Sequence, residues 1–185
     1  LSIIQFDTLT AEYSINHNES IDIDSFSGEM IADGNELYLA NRLTDSVDRY
    51  TLTFSDAGEF QFVKRNNTLS PIEVGEDPYG LALLTFPDRD PLLLTSNLVG
   101  GSISVIDQAS WLLVTLDEND FDELKGIVLD TNTKNLTPKG RGVAEIASVQ
   151  NGKFAIAISQ TFNVVYVIDT ESQSLEGYIF TDNRY

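Results

Sequence analysis

The sequence predicts an all-β fold of repeated four-stranded antiparallel units, and three observations carry that prediction. A segment recurs three times, at residues 24–50, 80–106 and 142–168. Inside each copy apolar and polar residues alternate, as at Leu37 and Leu39 or Ile103 and Val105, which is the pattern of strands that bury one face. No stretch holds a helical apolar period for long. Repeats of this length, made of short strands and tight turns, read as blades of a β-propeller.

The elements follow in chain order. Residues 1–15 repeat the order third strand, aspartate (Asp7), fourth strand, and form the back half of a blade. The first full blade is predicted over 24–65, with a turn at Asp33-Gly34, a second strand ending at Asn41, a third over 46–50, and a fourth carrying Phe60, Phe62 and Val63. The second covers 80–116, with a turn at Arg89-Asp90, a second strand ending at Asn97, a third over 102–106 and a fourth over 111–116. Residues 117–141 read as an inserted connection, and the last blade spans 142–181, with its turn at Asn151-Gly152 and its second strand ending at Ser159. Asp7, Asp107 and Asp169 each close a third strand, where an aspartate accepts hydrogen bonds from backbone just ahead of it and fixes the outer turn. Asn41 and Asn97 are expected to tie loop backbone. Pro78, Gly80 and Gly142 mark the starts of inner strands, where backbones crowd a central channel. Trp111, at the start of an outer strand, reads as a packing residue.

The count is about fourteen strands, or three and a half blades, against the roughly four to eight of a closed propeller. Sheet faces are therefore left open at both ends, and further sequence, a second chain or a second copy is expected to complete the ring. The start at Leu1, inside a strand-like pattern and without an initiator Met or signal peptide, reads as that of a processed or excised chain.

With 42% hydrophobic and 10% aromatic residues among 185, the chain can bury a core and is not a disordered protein. Twenty-nine acidic against eleven basic residues give a formal net charge of −18, which opposes nucleic-acid backbones and anionic membranes as partners. No apolar run approaches the roughly 18 residues of a membrane helix, so no membrane insertion is expected. The absence of Cys excludes disulfides, thiolate metal sites and thiol nucleophiles, and is compatible with an exported protein of the periplasm or cell surface. His17 is the only histidine, so a haem pair, a three-His zinc site or a copper cluster cannot be built from this chain alone. No Gly-x-Ser-x-Gly elbow occurs either. The sequence identifies no catalytic residue.

Blade anatomy sorts the remaining candidates by face. Connections between blades lie on the same side as the loops between second and third strands, which brings 16–24, 66–79 and 117–141 together with the loops around 42–45, 98–101 and 160–163. Asp22, Asp24, Arg42, Asp45, Glu76 and Asp77 then form one polar face suited to a cation or a basic protein partner. Arg42 and Arg141 belong to the same connections, and an ion pair from either neutralises part of that face. The insertion carries the densest oxygen set, Asp117, Asn119, Asp120, Asp122 and Glu123, a donor chemistry that suits calcium. It lacks EF-hand spacing, and the simpler reading of the run is a solvated acidic loop. No other cofactor is expected. Three sequons, at Asn18, Asn66 and Asn135, fall in connections.

The strings IEVGEDPYGLAL (72–83), PLLLTSN (91–97) and GSISVID (101–107) resemble the YVTN-type repeats of lactonase-like β-propellers, and DGNELYLAN (33–41) and VVYVID (164–169) look like the same motif. The third copy departs from it at Ile158-Ser159. The matching residues are structural ones, so the resemblance implies the fold and carries no catalytic residue across. The expected function is a non-catalytic binding or scaffold module of an exported protein. The alternatives are a fragment of a propeller enzyme, lactonase-like or a cofactor-dependent oxidoreductase, and a subunit that completes a ring with other chains.

Overall fold

Every regular element among the described residues is a β-strand, sixteen in all, and all pairings are antiparallel. The structure is a computed structural model and describes residues 3–7, 10, 12–16, 26–66, 71–114, 127–129 and 142–181. Strands β1 (Ile3–Asp7) and β2 (Glu12–Asn16) form a two-stranded hairpin. Sheet 1 holds β3 (Ser27–Asp33), β4 (Glu36–Asn41), β5 (Ser46–Phe54), β6 (Phe60–Arg65) and β7 (Ile72–Glu73). Sheet 2 holds β8 (Pro78–Leu84), β9 (Leu92–Asn97), β10 (Ser102–Asp107), β11 (Leu112–Leu113) and β12 (Ile127–Val128). Sheet 3 holds β13 (Val143–Val149), β14 (Phe154–Ser159), β15 (Val164–Asp169) and β16 (Ser174–Phe180).

Both faces of the middle strands of sheet 2 are apolar because that sheet lies between sheets 1 and 3. Tyr38, Ala40 and Val47 of sheet 1 pack on Leu81, Leu93 and Ile106 of sheet 2. The opposite face of sheet 2, through Leu92, Leu94, Ile103 and Val105, packs on Ala155, Ala157, Val164, Tyr166 and Ile168 of sheet 3. Each buried aliphatic side chain contributes about 1.5–3 kcal/mol of transfer free energy, so these two interfaces hold the sheets face to face. The first strands β3, β8 and β13 lie side by side. A Cβ on Gly80 would stand 2.1 Å from the Ala144 carbonyl oxygen, and one on Gly28 2.5 Å from that of Tyr79, so backbone meets backbone there. The Ser96 hydroxyl fills the same seam, accepting from the Gly80 N–H at 2.9 Å and donating to the Ala144 carbonyl.

Five details differ from the sequence reading. The three equal-length copies, 24–50, 80–106 and 142–168, do not match residue for residue through the first strand: Ser27, Pro78 and Val143 hold matching positions opposite Asn41, Asn97 and Ser159, whereas those ranges would set Ser27 on Leu83. A bulge near the start of each first strand breaks the alternation, and the turn that follows varies from Gly34-Asn35 to 85–91 and 150–153, so pattern alone could not register these strands. The outer strands of sheets 1 and 2 come in two pieces. Both β6 and β7 pair with β5, and both β11 and β12 pair with β10, so about fourteen strand positions are filled by sixteen strands.

Trp111 is not the first residue of a strand: it closes the turn after Asp107 at φ 55°, is buried, and stacks on Tyr38 of sheet 1 at 5.7 Å. Asn97 ties strand rather than loop, donating to the Ser102 and Ser104 hydroxyls at 2.8 and 3.0 Å, and Asn41 reaches Asp48, the residue matching Ser104, at 3.4 Å. Gly142 crowds the Thr161 side chain rather than an inner-strand backbone, and it sits at φ 78°. The aspartate caps are as expected: Asp107 accepts from the Ser110 N–H and hydroxyl at 2.7 and 2.6 Å, and Asp169 from the N–H groups of Glu171 and Ser172 at 2.9 and 2.8 Å.

Candidate functional site

One hydrogen bond repeats in all three sheets and builds a common loop face. The residue after each second strand donates its N–H to the carbonyl of the residue before each first strand: Arg42 to Phe26 at 3.0 Å, Leu98 to Asp77 at 2.8 Å, Gln160 to Gly142 at 2.8 Å. Asp45, Gly101 and Asn163 take the left-handed conformation at the end of the same loops, a position that suits Asp, Asn and Gly. Neighbouring sheets are then joined across this face. Gly142 N–H donates to the Leu98 carbonyl at 2.6 Å, and the 74–77 connection is held by Val74 N–H on the Asp45 carbonyl and Asp77 N–H on Asp45 Oδ1, both at 2.8 Å.

Arg42 is the centre of the first junction. Its Nε and a terminal nitrogen donate to Asp77 Oδ1 and Oδ2 at 2.7 and 3.0 Å, a two-point pairing that aligns the guanidinium plane. The guanidinium carbon also lies over the rings of Phe26 and Tyr79, at 4.6 and 4.9 Å from their centroids. Hydrogen bonding to Asp77 raises the Arg42 pKa above its ordinary value, against the opposing effect of burial.

The structure therefore gathers Arg42, Asp45, Glu76 and Asp77, which sequence reasoning placed on one face, but it uses three of them to knit loops. Arg42 neutralises Asp77, and Asp45 caps the connection. Glu76 holds Gly100 N–H on its backbone carbonyl at 3.1 Å and keeps its side chain exposed. Asp22, Asp24, His17 and Arg141 lie outside the described residues, as do Asp117, Asn119, Asp120, Asp122 and Glu123. Both β11 and β12, the described strands nearest that run in sequence, pair with β10. Among the described residues, no group of three or more His, Asp or Glu is placed to hold a metal ion.

Sequence reasoning missed the apolar content of this face. Leu43, Val99 and Phe162 stand in the three successive second-to-third-strand loops and are 72%, 42% and 41% exposed; Phe26, beside Arg42, is 67% exposed. The signal was present as an apolar residue in each loop, within polar neighbours at 42–45 and 160–163 and beside Leu98 and two glycines at 98–101, at positions that a search for oxygen and charge passes over.

No protein-family model matches the chain, and neither does any curated protein. Solved structures do. A 6-phosphogluconolactonase-like protein of Bacteroides uniformis is similar over 98% of this chain and 50% of its own, with a TM-score of 0.60 and 14% identity. The fold is of the propeller type. The dihydro-heme d1 dehydrogenase NirN, in complex with DHE, is similar over 99% of this chain and 33% of its own, with a TM-score of 0.59 and 12% identity. Kuenenia stuttgartiensis hydrazine synthase is similar over 81% and 34%, with a TM-score of 0.54 and 20% identity. The chain thus spans between a third and a half of the length of these structures, and at such identities the likeness concerns the fold.

Proposed function

We propose that the chain is a non-catalytic, protein-binding module of an exported protein, with repeats of the YVTN type, whose contact surface is the loop face. The supporting observation is the exposure of Leu43, Val99 and Phe162, one in each successive loop, beside Phe26 and Glu76. Repeated apolar tips on a rigid, hydrogen-bonded platform provide desolvation at fixed spacing, and an acidic surround favours a basic partner. A combined Leu43→Ser, Val99→Ser, Phe162→Ser variant tests this in affinity capture followed by mass spectrometry. The partner is expected to be lost by that variant and retained by Leu112→Ser, which alters an exposed leucine in a strand instead. Equal capture by both variants, or hydrolysis of a lactone by the chain, would overturn the reading.

The same reading keeps Asp117, Asn119, Asp120, Asp122 and Glu123 as a calcium-binding segment. Native mass spectrometry with and without Ca²⁺ is expected to show a mass increase of one ion, and no increase refutes it. The ring is proposed to be completed by further blades. The position of Ser96, which sheet 3 covers completely, is held in sheet 3 by Ile158, which is 44% exposed. An apolar residue at an interblade position calls for a covering sheet.

A further inference from the structure

A cavity of about 330 Å³ opens at the other end of the strands, between sheets 2 and 3. Its walls come from the 85–91 turn, which is the longest of the three first-to-second-strand turns, and from the turns at 150–153 and 170–173. Phe86 anchors the long turn. Its ring lies against Gly152, where a Cβ would meet Phe86 Cε1 at 2.9 Å, and Gly152 is held at φ 83°. The Thr170 hydroxyl donates to the carbonyls of Gly152 and Lys153, and Thr170 N–H donates to the latter at 3.2 Å, so the facing wall is fixed.

Two cations line this cleft without closing an ion pair among the described residues, although Lys153 stands near enough to Asp169 to help lower that carboxyl's pKa. Arg42, Arg49 and Arg65 each grip a carboxylate, on Asp77, Glu36 and Asp48. Arg89 instead lies on the Phe86 ring, 3.6 Å from its centroid, which orients the guanidinium plane and leaves its donors open. Lys153 lines the opposite wall, above the Phe154 ring at 5.2 Å. Exposed Asp88 and Glu171 line the same cleft, so the formal charges of its lining residues balance, with Asp169 adding a further carboxylate near Lys153.

We propose that this cleft binds a small carboxylate that also carries hydrogen-bond donors, with Arg89 and Lys153 taking the carboxylate and Asp88 and Glu171 the donors. A planar guanidinium matches a carboxylate in a two-point pairing, and the ammonium adds a second point charge. A polyanion is disfavoured, because Asp88 and Glu171 repel it locally and the net charge of −18 repels it at long range. The volume lies at the lower end of ligand cavities, about 300–1,000 Å³, and fits a molecule of monosaccharide or amino-acid size. The donors are hydroxyls in a sugar acid or an ammonium in an amino acid.

Isothermal titration calorimetry of the whole chain with D-galacturonate, L-glutamine and D-galactose tests the proposal. Binding of galacturonate or of glutamine, with galactose inert, supports it and identifies which donor is read. Arg89→Gln is expected to weaken that binding about tenfold, and Lys153→Gln about threefold, while Lys64→Gln on β6 leaves it unchanged. Both altered side chains are exposed, so the variants are expected to keep the wild-type near-ultraviolet dichroism. Failure of both acids to bind, equal binding of galactose, or an Arg89→Gln variant that binds as well as wild type would each overturn it. The loop-face variants leave this cleft intact, so the two proposals stand or fall separately.

Discussion

Arg42 shows how a residue suited to binding becomes a structural one. Its guanidinium is spent on Asp77 and two rings, with side chains 17% and 19% exposed across the pair, so water screens it only in part. Arg42→Ala is expected to cost about 2 kcal/mol in urea unfolding, with Arg42→Lys recovering only part, since an ammonium cannot reproduce the two-point pairing. The aspartate caps carry a pH dependence. Hydrogen bonds from the Ser110 hydroxyl and then the Ser110 N–H hold Asp107 below the ordinary value of 3.8, and the Ser172 N–H leads the same lowering at Asp169. A carboxylate with a lowered folded pKa stabilises fully above its unfolded value and loses that contribution as pH falls through the folded one. Stability is thus expected to fall on acidification below 3.8, and Asp107→Asn is expected to flatten that limb in a series of thermal melts. Both caps were legible in the sequence, as an aspartate followed three residues on by a serine. The partner of Arg42 was foreseen only as some acidic group of the connections, because its choice depends on how sheet 2 docks on sheet 1.

At the scale of elements, the seams between sheets are where single changes act most strongly. Trp111→Ala removes the stack on Tyr38 and opens a cavity in the first interface, and is expected to cost about 3–5 kcal/mol. Trp111→Phe keeps a ring there and is expected to cost clearly less. Gly80→Ala forces a Cβ against the Ala144 carbonyl and is expected to cost about 3 kcal/mol or more, whereas Gly34→Ala, with open space around it, carries only the left-handed backbone term of about 1 kcal/mol. Chemical denaturation of the pair separates crowding from conformation. Second strands, and the third strands of sheets 2 and 3, were read correctly because their mutual pairing is regular, whereas the third strand of sheet 1 runs four residues past its expected end, to Phe54. First and outer strands were read less well, since bulges and inserted segments interrupt the period there.

Taken as a whole, the molecule is strongly acidic, and like charges at a net −18 repel one another in the compact state. Raising salt from low to physiological strength shortens the screening length from about 30 to about 8 Å. The melting temperature is therefore expected to rise by ~3 °C, equivalent to about 1 kcal/mol for a chain of this size, in scanning calorimetry. The far face of sheet 3 carries a second expectation. With Ile158 and Ile179 exposed at 44% and 62%, the chain is expected to self-associate as concentration rises, and Ile158→Lys with Ile179→Lys to hold it monomeric in sedimentation velocity.

The sequence by itself determined the all-β class, the three repeats and the hairpin caps, because these rest on alternation and turn chemistry within a few residues of one another. It also placed Arg42, Asp45, Glu76 and Asp77 on a common face, since strand order alone dictates which loops meet. Only the tertiary structure decided that most of this charge is spent between loops, that Leu43, Val99 and Phe162 remain exposed, and that Arg89 and Lys153 share a cleft. Those outcomes depend on distances between residues of different sheets, and a linear pattern contains no such distance.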